Sequence, residues 1–229
     1  MAEIAGVAGL DWFLLDMEHG SGLWEMLAYQ LMAFSGTSTA PIFRLPSLDS
    51  VYFKRALDLG AWGPMLPIVN KPEEARNALD YSRYPPNGTR GVSSVIQGVH
   101  YGANFEEQPD TAHLSTLQIA QVESSMALDN IEEIAGVDGI EALFVEPGDI
   151  SISMRITIQF DHPDFFKAIN KTISVASDNR IASGILGFTE SDLQSYYKMG
   201  LNLVAVGSDG GMVAKGFKSL VAASLEFRQ

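Results

Sequence analysis

The sequence has 229 residues, of which 46% are hydrophobic and 19% are charged, so it has the composition of a globular protein and enough apolar material for one large core. Its 28 acidic and 15 basic residues give a formal charge of −13, and because an acidic surface repels phosphate backbones, this balance argues against nucleic acid as a partner. The absence of cysteine excludes disulfide bonds, thiolate catalysis and cysteine-ligated metals.

The first residues carry no targeting signal. Met1 to Ile4 has no basic segment followed by an apolar stretch, which a signal peptide requires. No uninterrupted apolar run in the sequence approaches the ~18 residues that a bilayer-spanning helix needs. We therefore expect a soluble, cytoplasmic protein with no membrane partner.

Seven short apolar runs have the pattern of parallel strands that are covered on both faces. In chain order they are Trp12 to Asp16, Pro41 to Leu45, Gly63 to Val69, Leu117 to Val122, Ala142 to Val145, Ala182 to Leu186 and Leu203 to Gly207. Amphipathic segments separate them, and several have recognisable ends. The start signals are Asn70 with Glu73, Asn130 with Glu133, Thr189 and His162-Pro163-Asp164, and Gly200 is a stop signal.

Regular alternation of strands and helices leaves two architectures, an open doubly wound sheet and a closed barrel. A TIM (β/α)8 barrel has eight strands, one more than the runs identified here. Ala2 to Gly9 has the pattern of the end of an amphipathic helix that leads into the first run. We therefore predict an α/β protein with a single TIM-barrel domain over residues 1–229, in which the first strand is missing because it would precede Met1.

Most of the predicted strands end in acidic, basic or amide residues. They are Asp16, Glu18 and His19 after the first strand, Arg44 in the second, Gln121 and Glu123 at the fourth, Glu146 and Asp149 after the fifth, and Asp209 after the last. Singly, such a carboxylate is more often a helix N-cap, Arg44 could be a structural ion-pair partner and His19 a loop residue. Because the active site of such a barrel lies at the carboxyl ends of its strands, the set predicts a metal–carboxylate site with one cationic clamp.

Five motifs together resemble a known family. They are Leu14-Leu15-Asp16-Met17-Glu18-His19-Gly20, Arg44-Leu45-Pro46, Arg83-Tyr84-Pro85-Pro86-Asn87-Gly88-Thr89-Arg90-Gly91, Gln121-Val122-Glu123 and Pro147-Gly148-Asp149-Ile150-Ser151. In this order and spacing they resemble the HpcH/HpaI class II pyruvate aldolases, from about Ala2 to the C-terminus. The resemblance implies a phosphoenolpyruvate/pyruvate-domain-like TIM barrel with one additional strand ahead of Met1.

The resemblance also implies which residues bind the metal and the substrate. Glu123 and Asp149 match the two carboxylates that hold a divalent cation, Mg²⁺, Mn²⁺ or Co²⁺, for which hard oxygen ligands are suited. Gln121 matches a residue near the bound keto acid, and Gly148 with Asp149 is expected to contact the same substrate. Arg44 matches the arginine that contacts the carboxylate and keto oxygen of pyruvate.

The implied reaction is cleavage or formation of 4-hydroxy-2-oxo acids through a metal-bound pyruvate enolate, with pyruvate and an aldehyde as partners. Asp16, His19 and Arg44 are the implied catalytic residues. Arg44 adds fixed positive charge at the developing enolate oxygen, and His19, paired with Asp16, matches the acid/base element that takes the proton of the 4-hydroxyl group.

The resemblance further implies a homo-oligomer, a trimer or a hexamer, in which the C-terminal helix packs on a neighbouring subunit. The segment around 211–227 is amphipathic and able to do this. Periodicity alone does not distinguish packing on a neighbour from packing on the same chain.

Two residues depart from the family pattern, which has glycine at both positions. Glu146 precedes Pro147-Gly148-Asp149, where it is expected either to enter the pocket, as a further ligand or a repulsive charge, or to turn outward into solvent; Arg155 lies in the loop after Met154. Two alternatives to the aldolase therefore stay open: a catalytically impaired barrel that serves as a binding or assembly protein, and a macrophomate-synthase-like decarboxylating enzyme. A citrate-lyase-like acyl-CoA activity has no sequence signal for a CoA site.

Overall fold

The strands form a parallel sheet in the order of the chain. In the computed structural model, residues 1–103, 105–106, 111–114 and 116–227 are described. The sheet order is β1-β2-β3-β4-β5-β6-β7, and every neighbouring pair is parallel. The strands are β1 (Trp12–Asp16), β2 (Ala40–Arg44), β3 (Gly63–Leu66), β4 (Ile119–Val122), β5 (Ala142–Val145), β6 (Ala182–Gly187) and β7 (Leu203–Val206).

Helices alternate with these strands, as the sequence predicts. They are α1 (Ala2–Val7), α2 (Trp24–Phe34), α3 (Ser50–Asp58), α4 (Pro72–Ser82), α5 (Ser125–Asp129), α6 (Ile131–Ala135), α7 (Pro147–Ser153), α8 (Pro163–Asn179), α9 (Glu190–Met199) and α10 (Asp209–Glu226), with 3-10 turns at Gln97–Gly102 and Ala112–Leu114. Among the described residues, no helix is both long enough and apolar enough to cross a bilayer. The cytoplasmic location stays a prediction.

An aromatic contact shows that the sheet is strongly curved. Trp12 on β1 and Phe144 on β5 meet edge to face, with their ring centroids 6.1 Å apart. In a flat sheet, strands that are four positions apart would be separated by about 19 Å. The prediction of an α/β fold of the TIM-barrel class is therefore confirmed in its class and strand order. The described residues contain seven strands, and a further strand ahead of α1 stays a prediction.

Alternate residues of the strands face two separate apolar layers. The inner layer contains Trp12, Leu14, Ile42, Met65, Ile119, Ala142, Phe144, Ala182, Leu186, Leu203 and Ala205. The residues between them, such as Leu15, Phe43 and Leu143, belong to the outer layer under the helices. The central strands β3, β4 and β5 are therefore buried on both faces, and β1 and β7 at the two edges are partly buried, which explains why the strands appear in the sequence as continuous apolar runs.

Local capping chemistry sets the helix boundaries. The start of α9 is confirmed, because Thr189 Oγ1 accepts the Asp192 N–H at 3.1 Å and the Asp192 carboxylate accepts the Thr189 N–H at 2.9 Å. Gly200 then ends α9 in the left-handed region, with φ +103°. His162 is also confirmed as a cap, since its Nδ1 accepts the Asp164 N–H at 3.1 Å.

The two other predicted capping boxes are wrong. Helix α4 starts one residue later than expected, because the carboxylate that accepts the Asn70 and Lys71 N–H groups belongs to Glu74. The side chain of Asn130 does not cap α6. Its Nδ2 instead donates to the backbone oxygen of Asn70 at 2.7 Å and so ties the two loops together.

The long motif from Arg83 to Gly91 stabilises the opposite end of the sheet from the strand carboxyl ends. Arg90 Nη2 lies 2.7 Å from Asp58 Oδ1 at the end of α3, and its guanidinium lies over the Tyr84 ring, 4.5 Å from the centroid. Arg90 also lines a cavity together with Pro41 and Trp62, at the amino ends of β2 and β3. Removing one partner of this ion pair would be destabilising, because it would leave an unpaired buried charge.

Arg155 adopts the backbone conformation that glycine favours. It follows α7 with φ +61°. Its N–H donates to the Ile152 oxygen at 3.0 Å, and the next N–H donates to the Ser151 oxygen at 2.9 Å, so Arg155 lies at the left-handed position that ends a helix. A side chain with a Cβ is strained there, which gives a physical reason for glycine at this position.

We predict that Arg155→Gly raises the free energy of unfolding by about 1 kcal/mol, because it removes the left-handed strain. Urea unfolding at one fixed protein concentration measures the change. Arg155→Ala is the matched control, since it removes the guanidinium and keeps the Cβ. Equal stability of the Gly and Ala variants would show that the backbone conformation is not the source of strain.

Candidate active site

Strand alternation brings the polar residues together at the carboxyl ends of the strands. This end of the curved sheet is called the mouth. The inner-layer residues Leu14, Ile42, Ile119 and Phe144 are each followed two positions later by a polar residue. Side chains two positions apart lie on the same face of a strand. The polar residues that follow this alternation at the carboxyl ends are Asp16, Arg44, Gln121, Glu123 and Glu146.

Arg44 lies at the centre of this group and is largely buried. It is the register partner of Asp16 on β1. Its Nε donates to Asp16 Oδ1 at 3.0 Å and its Nη2 to Asp16 Oδ2 at 2.5 Å, which is a bidentate pair. Glu18 Oε2 lies 3.3 Å from Nε, and Glu146 Oε2 lies 3.8 Å from Nη1. Three carboxylates therefore surround one guanidinium.

The carboxylate of Asp16 orients Arg44 and the turn after β1. Oδ1 also accepts the backbone N–H groups of Glu18 and His19, at 3.0 and 3.2 Å. Burial disfavours the charge of Asp16, but the hydrogen bonds and charge of Arg44 and these N–H groups together hold its pKa below the usual value. Asp16 is therefore ionised at neutral pH.

The side chains of His19 and Asp16 do not form the expected pair. The side chain of His19 is 70% exposed, and its Nε2 lies 3.9 Å from Glu18 Oε2. Only its backbone N–H contacts the Asp16 carboxylate. The predicted side-chain pair of His19 and Asp16 is therefore wrong. The Asp16 carboxylate is hydrogen-bonded to Arg44 instead, and the turn directs the imidazole of His19 to the rim of the mouth.

Glu123 and Asp149 come to the same mouth from neighbouring strands. Glu123 follows β4, and its Oε1 accepts the N–H of Ile68. Asp149 lies in the first turn of α7, directly after β5. Burial raises the pKa of Glu123, the Ile68 N–H opposes this shift, and the negative charges of Glu18 and Asp149 add to it. The two expected metal ligands therefore follow β4 and β5, which are neighbouring strands of the sheet.

The carboxylates of Glu123 and Asp149 fit a divalent cation whose remaining ligands are not protein side chains. Glu123 and Asp149 offer hard oxygen ligands, and Mg²⁺ is commonly bound by one or two carboxylates together with water and substrate oxygens. Among the described residues, no group of three or more acidic, His or Cys side chains is close enough to form a complete cage. Glu18 Oε2 is buried without a hydrogen bond from the described residues, so negative charge there lacks full compensation.

Gln121 and Gly148 leave room for a ligand. The side chain of Gln121 is buried, with 1% of the residue exposed, and neither amide atom has a hydrogen-bond partner in the described structure. Such a group is costly unless a ligand or water satisfies it. No atom lies within 4 Å of a Cβ built on Gly148. Both features agree with the expectation that these residues border a bound molecule.

Two contributions to the mouth were missed by sequence reasoning. Glu18 was placed at a strand end and given no role, although its carboxylate lies beside Arg44. The predicted third strand was too long, because Ile68 leaves the extended conformation with φ +55°. That turn directs the Ile68 N–H at Glu123, and no residue type in the sequence signals it.

The side chain of Glu146 turns toward Arg44 and not outward into solvent. Its side chain is 14% exposed. Burial raises its pKa to about 7, while Arg44 opposes the shift and the charges of Asp149, Glu123 and Asp16 add to it. Of the two orientations expected for this residue, the outward one is wrong.

We predict that Glu146 makes the metal-free protein less stable as the pH rises. The carboxyl holds its proton more tightly in the folded state, so stability falls between the ordinary pKa of 4.5 and the folded value of about 7. Compared with the wild type, Glu146→Gln should gain up to ~3 kcal/mol of unfolding free energy on going from pH 5 to pH 8.5. Urea unfolding at both pH values measures this difference.

The exposed Glu133→Gln serves as the control, because it removes a carboxylate that lies outside the mouth. It should show little pH-dependent gain. The same gain in both variants would mean that the effect comes from net charge and not from the burial of Glu146.

Known proteins resemble this chain in sequence and in fold. The family described as HpcH/HpaI aldolase/citrate lyase matches residues 1–216. A 5-keto-4-deoxy-D-glucarate aldolase from Escherichia fergusonii is 38% identical over 222 residues, which cover 95% of this chain and 85% of that protein. An HpcH/HpaI aldolase/citrate lyase family protein from Burkholderia cenocepacia has a TM-score of 0.93 at 30% identity, over 100% of this chain and 90% of that one. The chain therefore belongs to the HpcH/HpaI aldolase/citrate lyase family.

Proposed function

We propose that this protein is a class II, metal-dependent pyruvate aldolase that cleaves or forms 4-hydroxy-2-oxo acids. The observation that carries the proposal is the placement of Arg44 between acidic side chains at the carboxyl ends of neighbouring strands, with Glu123 and Asp149 in the same group. The curated relatives named 5-keto-4-deoxy-D-glucarate aldolase support a carbon–carbon lyase of this type.

Glu123 and Asp149 would hold the cation, Mg²⁺, Mn²⁺ or Co²⁺. When bound, it supplies a Lewis acid that polarises the keto group of a 2-oxo acid such as pyruvate. Gln121 would donate its unpartnered amide to the same substrate, and Gly148 would let the substrate approach the backbone closely.

Arg44 would stabilise the negative charge that develops on the former keto oxygen. Its orientation is fixed before the substrate arrives, because Asp16 holds Nε and Nη2. A fixed donor of this kind requires little reorganisation when charge develops in the transition state. Asp16 is in this respect a positioning residue.

His19 would exchange the proton of the 4-hydroxyl group. An exposed imidazole at the rim can reach both the aldehyde component and bulk water. Imidazole is the usual group for proton transfer near neutral pH. Glu18 is the acidic group nearest to the ring, at 3.9 Å from Nε2, which is too long for a hydrogen bond.

We predict that Arg44→Ala slows proton exchange at the methyl group of pyruvate by about 100-fold, which corresponds to about 3 kcal/mol of transition-state stabilisation. Mass spectrometry of deuterium uptake from D₂O in the presence of Mg²⁺ measures the exchange. Glu123→Ala should abolish the metal-dependent exchange.

Arg76→Ala is the matched control, because Arg76 is exposed and pairs with Glu73 on α4. Arg44→Lys should fold and recover part of the rate, since it keeps a positive charge and loses the bidentate geometry. Unchanged exchange in Arg44→Ala, or exchange that is insensitive to a chelator, would contradict the proposal.

We also propose that the protein acts as a homo-oligomer, a trimer or a hexamer. Helix α10 buries none of its residues against the rest of the chain. Val213, Phe217, Leu220 and Val221 form an exposed apolar stripe along it. Monomeric proteins rarely expose apolar patches of this length, so a second copy of the chain is the expected cover.

Phe217→Glu should therefore reduce the molar mass in solution to that of a monomer or a smaller assembly, as measured by light scattering after gel filtration. Ser219→Glu introduces the same charge on the polar side of α10 and should leave the mass unchanged. A wild-type protein that is monomeric at micromolar concentration would rule out this proposal.

A further inference from the structure

A gap separates Glu146 from the guanidinium of Arg44. Glu146 Oε2 lies 3.8 Å from Arg44 Nη1, which is longer than a hydrogen bond of about 2.7–3.2 Å. The hydrogen bonds of Arg44 to described residues leave from Nε and Nη2 and go to Asp16. The gap therefore has a donor on one side, an acceptor on the other, and no direct bond between them.

A hydroxyl group fits this gap and a carboxylate does not. An oxygen atom at about 2.8 Å from both Nη1 and Oε2 can bridge a separation of 3.8 Å. It must accept a hydrogen bond from Arg44 and donate one to Glu146. A hydroxyl does both, whereas an ionised carboxylate can only accept and would be repelled by Glu146.

The negative charge of the other residues at the mouth also disfavours an anionic ligand beside Glu146. Asp16, Glu123 and Asp149 act electrostatically on Glu146, and Glu18 lies beside the same guanidinium of Arg44. The positive charge of a bound divalent cation would be largely compensated by these carboxylates and by the carboxylate of a 2-oxo acid. A second anionic component would meet uncompensated negative charge, which disfavours its binding.

An independent observation indicates that a ligand belongs in this mouth. Gln121 lies on the same inner face, with 1% of the residue exposed and its amide unpartnered among the described residues. Its amide can donate to the 2-oxo acid. Asp16 accepts two of the five N–H groups of Arg44, so the remaining ones can serve both the keto oxygen and a hydroxyl group beside Glu146.

We infer that Glu146 is a specificity-determining residue, and that with Arg44 it binds a hydroxyl group of a neutral hydroxyaldehyde and excludes an anionic aldehyde. The inference rests on the proposed aldolase function. It differs from a role in holding the cation, because it assigns Glu146 to the aldehyde component.

Glycolaldehyde and glyoxylate provide a closely matched test, because they differ mainly in a hydroxymethyl group against a carboxylate. The condensation of each with pyruvate is measured at pH 8 with Mg²⁺, and the ratio of the two kcat/KM values is compared between proteins. Glu146→Gln should lower the glycolaldehyde-to-glyoxylate ratio at least about tenfold, or about 1.4 kcal/mol. Glu146→Gly should lower it as well.

The control Glu133→Gln should keep the wild-type ratio. A ratio in Glu146→Gln and Glu146→Gly that stays within about twofold of the wild type overturns the inference, while pyruvate exchange in the same samples shows whether the aldolase proposal stands. Loss of exchange in the wild type refutes the aldolase proposal itself.

Binding gives the same comparison without turnover. Titration calorimetry of the Mg²⁺-loaded protein compares 2-oxoglutarate, which has a second carboxylate, with 2-oxopentanoate, which does not. Glu146→Gln should raise the affinity for 2-oxoglutarate about tenfold more than the affinity for 2-oxopentanoate, because only 2-oxoglutarate has the second carboxylate. Equal changes for both ligands would mean that Glu146 does not act on the second carboxylate, and would overturn the inference.

Discussion

The excess of negative charge around Arg44 is the constraint on which the mouth of the sheet depends. Asp16 holds the guanidinium through two hydrogen bonds, and Glu18 and Glu146 lie close to it. Burying ionised groups is unfavourable unless each has a partner. The carboxylates at the mouth therefore favour the binding of a cation and of groups that donate hydrogen bonds. The fold brings the strand ends together, and the excess negative charge collected there connects the fold with lyase chemistry.

Sequence patterns predict the parts of the fold that depend on periodicity. Because both faces of the sheet are covered, the strands are continuous apolar runs, and strand alternation then places Asp16 beside Arg44. Gly200 likewise predicts the end of α9, but a turn whose key residue is not of a turn-forming type gives no such signal. The exposed imidazole of His19 and the left-handed Ile68 both follow from such turns.

The two positions at which the resemblance implies glycine also differ, because one lies in the scaffold and the other in the site. Arg155 lies at a left-handed position, where the cost of a Cβ is local backbone strain. Glu146 lies beside Arg44, where the backbone is in the extended region and the consequence is electrostatic. The resemblance implies glycine at both positions, yet the two side chains have different physical effects, which only the three-dimensional surroundings reveal.

The cluster of Arg90, Asp58 and Tyr84 lies at the amino ends of the strands, far from the mouth. In barrels of this class, residues at that end serve stability, and those at the other end serve chemistry. A lineage can therefore exchange side chains at the mouth while this lock preserves the folded chain. A side chain such as Glu146 can therefore be replaced without rebuilding the scaffold.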